Sequence, residues 1–145
     1  MKLELTKAVA LAAEAHRADF WGKEPYMTHL YLTLIEAMNL LENDDMDVFC
    51  AAILHDVIED HPEYAEKVKE GFPSIYESLL IDSRIDDETY DEFIQRVINS
   101  GDRVAIIVKL CDMIVNLSNN PPERLVERYE RNIGYLFSEV EKLDL

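Results

Sequence analysis

Ala51-Ala52-Ile53-Leu54-His55-Asp56-Val57-Ile58-Glu59-Asp60 decides how the whole chain is read. The run is opened by Val48 and Phe49, is apolar on most sides of a helix, and ends in four ionisable residues. At about 3.6 residues per turn His55 lies under Glu59 and Asp56 under Asp60, so the four side chains project from neighbouring faces. Burying a carboxylate is costly unless it meets a charge, a donor or a metal. The spacing therefore predicts one helix over about 46–60, built around a cation. The rest of the chain supplies further ligands and the walls.

Working outward, Asn43-Asp44-Asp45 provides a turn and an N-cap for this helix, and His61-Pro62 stops it. Upstream, residues 3–19 read as a helix with a face of mostly small residues: Leu3, Val9, Ala10, Ala12, Ala13 and His16. Gly22 and Pro25 mark a loop. A second helix from Met27 or Thr28 to about Leu41 carries the stripe Leu30, Leu34, Ala37, Met38 and Leu41, with His29 in its first turn. Downstream come a short polar helix over 63–70, a second starting at Pro73, and an acidic loop with Asp86 or Asp87 as a cap. Tyr90, Phe93, Ile94, Val97 and Ile98 then repeat at helical spacing. Ser100-Gly101-Asp102 breaks the pattern before the apolar segment Val104–Leu117. Its β-branched content would suit a strand, but its length, the four-residue spacing of Asp112 and Asn116, and its helical surroundings favour a helix. A last helix over about 122–142 turns Leu125, Tyr129, Ile133, Leu136, Phe137 and Val140 inward. The expected class is all-α, a bundle of about six to eight helices forming a single domain over residues 1–145.

Composition bounds the function. The net charge is −16, from 30 acidic and 14 basic residues. That balance opposes binding to a nucleic-acid backbone or an anionic membrane surface, both of which need basic patches. A small anionic substrate stays open, because a bound metal reverses the sign locally. Cys50 and Cys111 both lie in apolar helical context and read as buried free thiols. No stretch has the run of about 18 apolar residues that a membrane span needs, and the N-terminus reads as an amphipathic helix rather than a signal peptide. The expected compartment is the cytoplasm.

Polar residues interrupt the apolar pattern at three places: His29, the group His55, Asp56, Glu59 and Asp60, and Asp112 with Asn116. Two imidazoles with carboxylates form a mixed N/O donor set suited to Mn²⁺, Fe²⁺, Zn²⁺ or Mg²⁺ with positions open to water; the thiolates of a structural zinc site are missing. Taken singly, each intrusion also fits a satisfied core histidine or an interhelical bridge. Their coincidence in the most apolar segments points to a ligand shell. A carboxylate one turn from such ligands can take a proton from bound water. Lys109 and Arg17 are candidates for phosphate charge, and equally for ordinary cations at the core edge.

The order His29, His55-Asp56, Asp112 resembles the HD-domain metal phosphohydrolases. Finer matches run through Ala15-His16, Glu24-Pro25-Tyr26 with His29, Leu54 to Asp60, and Val108 to Leu117. These resemble the alarmone (guanosine tetra- and pentaphosphate) hydrolases of the Rel/SpoT group over roughly residues 6–118. The resemblance implies that His29, His55, Asp56 and Asp112 hold one metal, usually Mn²⁺ in that group. It implies that Glu59 and Asp60 orient and activate the attacking water, and that Asn116 lines the nucleotide site. The chain departs from the pattern before the Pro-Tyr. There a basic segment that contacts nucleotide is one residue shorter and reads Asp19-Phe20-Trp21-Gly22-Lys23, with Trp21 near the place of an arginine and Lys23 still basic. Trp21 either stacks on a base or folds onto the core. His61 stands where the group usually has threonine.

The implied function is a metal-dependent hydrolase of a phosphorylated nucleotide, with an alarmone 3′-pyrophosphate as the leading substrate. An HD-type nucleotidase acting on a nucleoside monophosphate or a dinucleotide cofactor is the alternative enzyme. A non-catalytic nucleotide-binding module is the alternative from another class.

Overall fold

The computed structural model describes residues 2–143 and 145. The elements run α1 (Lys2–Ala15), a two-residue hairpin β1 (Phe20–Trp21) and β2 (Glu24–Pro25), α2 (Tyr26–Leu40), α3 (Met46–Leu54) and α4 (Val57–Asp60). After a 3₁₀ turn at Pro62–Tyr64 come α5 (Ala65–Gly71), α6 (Tyr76–Ile81), α7 (Tyr90–Ser100), α8 (Arg103–Ser118) and α9 (Glu123–Glu141). The class is all-α. Among the described residues there are nine helical segments, or eight if α3 and α4 count as one broken helix. No helix among the described residues is long and apolar enough to cross a membrane.

That break corrects the expectation of one helix over 46–60. Asp45 caps α3 as expected, its Oδ1 accepting from the Val48 amide at 3.1 Å. Its other oxygen pairs with Arg103, tying the start of α3 to the start of α8. The regular helix stops at Leu54 and resumes at Val57, with Asp56 at φ −101° and ψ −3° between them. Leu54, Val57 and Ile58 are all buried across the break, so the apolar spacing runs through it unchanged.

The core is built on α3 and α8, each apolar nearly all round and packed on several neighbours: α3 against α1, α2 and α8, and α8 against α2, α3 and α9. Ala8, Ala12 and Ala15 let α1 come close to α3. The small-residue face is therefore rotated from the expected one: Ala10 and Ala13 are exposed and Leu3 is 62% exposed. On α2 the stripe holds except Met38, and on α9 it holds except Phe137, each 43% exposed. The cap of α7 is Thr89, which forms a capping box with Glu92; Asp87 instead occupies a left-handed turn at φ 66°. Gly101 ends α7 at φ 67°, and Asp102 starts α8 by accepting from the Ala105 amide at 2.8 Å. The segment around Gly22, expected as a loop, pairs as a minimal hairpin through its left-handed glycine (φ 62°). Cys50 and Cys111 are buried free thiols, and burial pushes them up to about 11 and about 12, so both stay protonated.

Candidate metal centre

Four side chains from three elements meet where α2, the α3–α4 break and α8 converge. His29 comes from the first turn of α2, His55 and Asp56 from the break, and Asp112 from the middle of α8. One ligand atom from each lies within 4.8 Å of all the others. His29 Nε2 is 2.8 Å and His55 Nε2 3.2 Å from Asp112 Oδ1, and His55 Nε2 is 3.0 Å from Asp56 Oδ2. The break makes this possible, because His55 and Asp56 are adjacent in sequence and would diverge by about 100° in a regular helix.

The donor set fits a divalent ion. His55 Nδ1 lies 2.7 Å from the Ala52 carbonyl, which can only accept, so Nδ1 carries the proton and Nε2 is the side turned to the two carboxylates. Two nearly buried carboxylates around two imidazole nitrogens demand a cation, whether protons or a metal. Burial pulls the His55 imidazole down, but the charges of Asp56 and Asp112 outweigh it and hold it well above its ordinary value. Burial raises the two carboxyls, and it is outweighed too: His55 brings Asp56 well below its usual range, and Lys109 with His55 does the same to Asp112.

The surrounding side chains orient these groups. The Tyr26 hydroxyl donates to Asp56 Oδ2 at 2.5 Å. Lys109 is buried, donates from Nζ to Asp112 Oδ2 at 3.3 Å, and lies 4.8 Å from the Phe93 ring centre. Asn116 Nδ2 donates to Asp112 Oδ1 at 3.2 Å, and Trp21 Nε1 donates to Asn116 Oδ1 at 3.4 Å. The Trp21 ring also packs 5.1 Å from His29. Trp21 therefore folds onto the site as a brace. Above the cluster is a cavity of about 180 Å³ whose lining includes Tyr26, Glu59, Arg84, Lys109, Arg128 and Tyr129.

The structure sorts the other sequence candidates. Glu59 lines the cavity, and its Oε1 accepts from the Arg84 amide at 2.5 Å. Asp60, one residue on, turns away into a separate cleft lined by Asp19, Phe20 and His61. Burial, then the charges of Asp56 and Glu59, push its carboxyl up to about 7 although its outer edge meets solvent. Arg17 is exposed and reaches the Glu14 carbonyl at 2.7 Å and the Tyr64 hydroxyl at 3.4 Å, outside the cavity. Lys23 is exposed at the hairpin turn and does not line the cavity either. Tyr26, Arg84 and Arg128 were not singled out from the sequence as site residues. Arg84 and Arg128 sit in a polar loop and on an amphipathic helix, where an arginine carries no signal; Tyr26 had one, its place between Pro25 and His29.

Beneath the cluster Asp82 is 3% exposed and its Oδ1 has no hydrogen-bond partner. Burial pushes this carboxyl up to about 8, against the opposing charges of Lys109 and His55. The unfolded carboxyl titrates near about 4, so between about pH 4 and 8 the folded state holds a proton the unfolded chain has released. This group's contribution to stability falls with rising pH across that window and levels off above it. Asp82→Asn is expected to gain on wild type by more than about 1 kcal/mol between pH 5 and pH 8, measured by urea unfolding. A constant difference would show that Asp82 is ionised throughout.

The fold and the site together define an all-α bundle with a buried two-histidine, two-aspartate group able to hold a metal ion. A solved structure described as a metazoan ortholog of SpoT that hydrolyses ppGpp and plays a role in starvation responses has the same fold: the TM-score is 0.71 at 22% identity, over 94% of this chain and 83% of that one. The guanosine-3′,5′-bis(diphosphate) 3′-pyrophosphohydrolase of Haemophilus influenzae is 40% identical over 65 residues, which cover 43% of this chain. The match spans 9% of the length of that protein. No protein-family profile matches the chain.

Proposed function

We propose that the chain is a metal-dependent hydrolase of a phosphorylated nucleotide, a single HD-type phosphohydrolase domain whose substrate is guanosine 3′-diphosphate 5′-di- or triphosphate, cleaved at the 3′-pyrophosphate. The observation that carries this reading is the convergence of His29, His55, Asp56 and Asp112 within 4.8 Å beneath a cavity edged by cations. The similarity to two proteins described as acting on this nucleotide supports the choice of substrate.

His29, His55, Asp56 and Asp112 would hold the metal, with Mn²⁺ the proposed ion. When bound it lowers the pKa of a coordinated water and offsets charge on a phosphoryl oxygen. The chain's own residues do the rest. Tyr26 and Lys109 fix the Asp56 and Asp112 carboxylates. Glu59 uses Oε1 to hold the Arg84 amide, which leaves Oε2 to accept the proton of the attacking water. Arg84 and Arg128, among the residues lining the cavity, bring positive charge to a strongly acidic protein where phosphate would bind. Asn116 and Trp21 brace Asp112 from the hairpin side.

The test is pyrophosphate release from guanosine tetraphosphate with Mn²⁺, repeated after chelation and again after Mn²⁺ is restored. Activity that disappears with the metal and returns with it is expected. Phosphate release from nucleoside monophosphates instead would move the protein to the nucleotidase reading. The 180 Å³ cavity, roomy enough for a phosphoryl group, is the observation that keeps that second reading alive. Bound metal without turnover on any nucleotide would sink both.

A further inference from the structure

A second group of metal-ligating side chains lies beside the first site and takes no part in the proposed hydrolysis. His16 leaves the C-terminal end of α1, Asp19 follows in the turn before β1, and His61 ends α4. One ligand atom from each lies within 4.8 Å of the others. Asp19 Oδ2 is 2.8 Å from His16 Nδ1 and 2.5 Å from His61 Nε2, so a single carboxylate oxygen gathers two imidazoles.

The environment favours a cation. The far nitrogen of His61, Nδ1, sits 3.5 Å from Oε1 of the exposed Glu63. If that nitrogen carries the proton, Nε2 turns its lone pair toward Asp19, and a cation must lie between them. The His16 ring is fully buried, stacked 4.7 Å from Tyr26 and edge-on at 5.0 Å to His61, so its position is fixed. Asp60 lines the same cleft, a space of about 450 Å³ that leaves one side open to water. Two carboxylates, Asp19 and Glu63, thus meet the two imidazoles.

We propose that His16, Asp19 and His61 form a second site for a divalent transition ion of the Zn²⁺ type, pinning the end of α1 to the end of α4. Two imidazoles, one carboxylate and water make up a tetrahedral N/O set. Bonds of about 2.0–2.1 Å space such ligand atoms about 3.3 Å apart, so His61 and Asp19 would separate by less than about 1 Å. Both are part-exposed and stand at element ends, where that movement is easy.

The test is zinc stoichiometry by mass analysis after equilibrium dialysis of wild type, His61→Gln and Asp19→Asn, with Zn²⁺-dependent thermal stabilisation read in parallel. Both residues are part-exposed, and neither side chain touches a ligand of the first site. Wild type is expected to retain two equivalents and each variant one, with the Zn²⁺-induced rise in Tm reduced in the variants. The visible spectrum of Co²⁺-loaded protein should lose one component in His61→Gln. If wild type retains one equivalent that His61→Gln abolishes, this site stands and the first metal centre fails. Equal zinc content in all three proteins would overturn the second site, leaving Asp19 an ordinary hydrogen-bonded carboxylate.

Discussion

Replacing Asp112 with alanine is expected to leave the protein without metal at the first centre and without turnover. Asp112 Oδ1 takes contacts from His29, His55 and Asn116, while Oδ2 takes Lys109. Among the described residues, Asp112 alone joins α8 to both imidazoles. Outer partners of metal ligands are worth about 10–100-fold in affinity or activity, so loss of a ligand should cost at least that. The substitution also strands the buried Lys109 ammonium, and breaking a buried pair typically costs about 3–5 kcal/mol. Asp112→Asn, which keeps the shape, separates the two effects: it should fold better than Asp112→Ala and still bind metal poorly. First-centre metal content equal to wild type in both variants would remove Asp112 from the ligand set.

Glu59→Gln should do the opposite, keeping the metal while turnover falls by about 10²–10⁴-fold, the usual worth of a positioned general base. Glutamine retains an oxygen that can accept from the Arg84 amide, so the loop at Arg84 stays where it is. Mass analysis should find wild-type metal content. A rate equal to wild type would pass the role to another group, and Asp60 is poorly placed to take it, because it opens on the cleft of Asp19 and His61.

The parts of this site that were legible in the sequence are those where a polar residue interrupts an apolar run. His29, His55, Asp56 and Asp112 stood out because α2, the α3–α4 segment and α8 are otherwise built for burial. Glu59 and Asp60 looked equivalent, since adjacent carboxylates after the same apolar run give no sign of which way each turns. On a helix they diverge by about 100°, and only Glu59 reaches the cavity. Arg17 was a candidate for phosphate charge simply as a cation, but it too faces the other way, toward Tyr64. The all-α class was legible from apolar spacing, and the cap of α3 from the turn residues Asn43-Asp44-Asp45. The turn at His55–Asp56 was not, because Leu54, Val57 and Ile58 keep helical spacing straight through it. The rotation of α1 was hidden for a similar reason: alanines on several faces allow more than one stripe, and packing on α3 chooses among them.

The interruption between Leu54 and Val57 also sets a limit on engineering. Consecutive residues can aim at one point only where the spiral is relaxed, so competence here depends on a stretch that is locally less favourable than continuous helix. Substitutions chosen to heal it would raise the melting temperature while swinging His55 and Asp56 apart. Robustness and function pull in opposite directions at these two residues, and a thermostabilised variant should be sought everywhere else in the chain first.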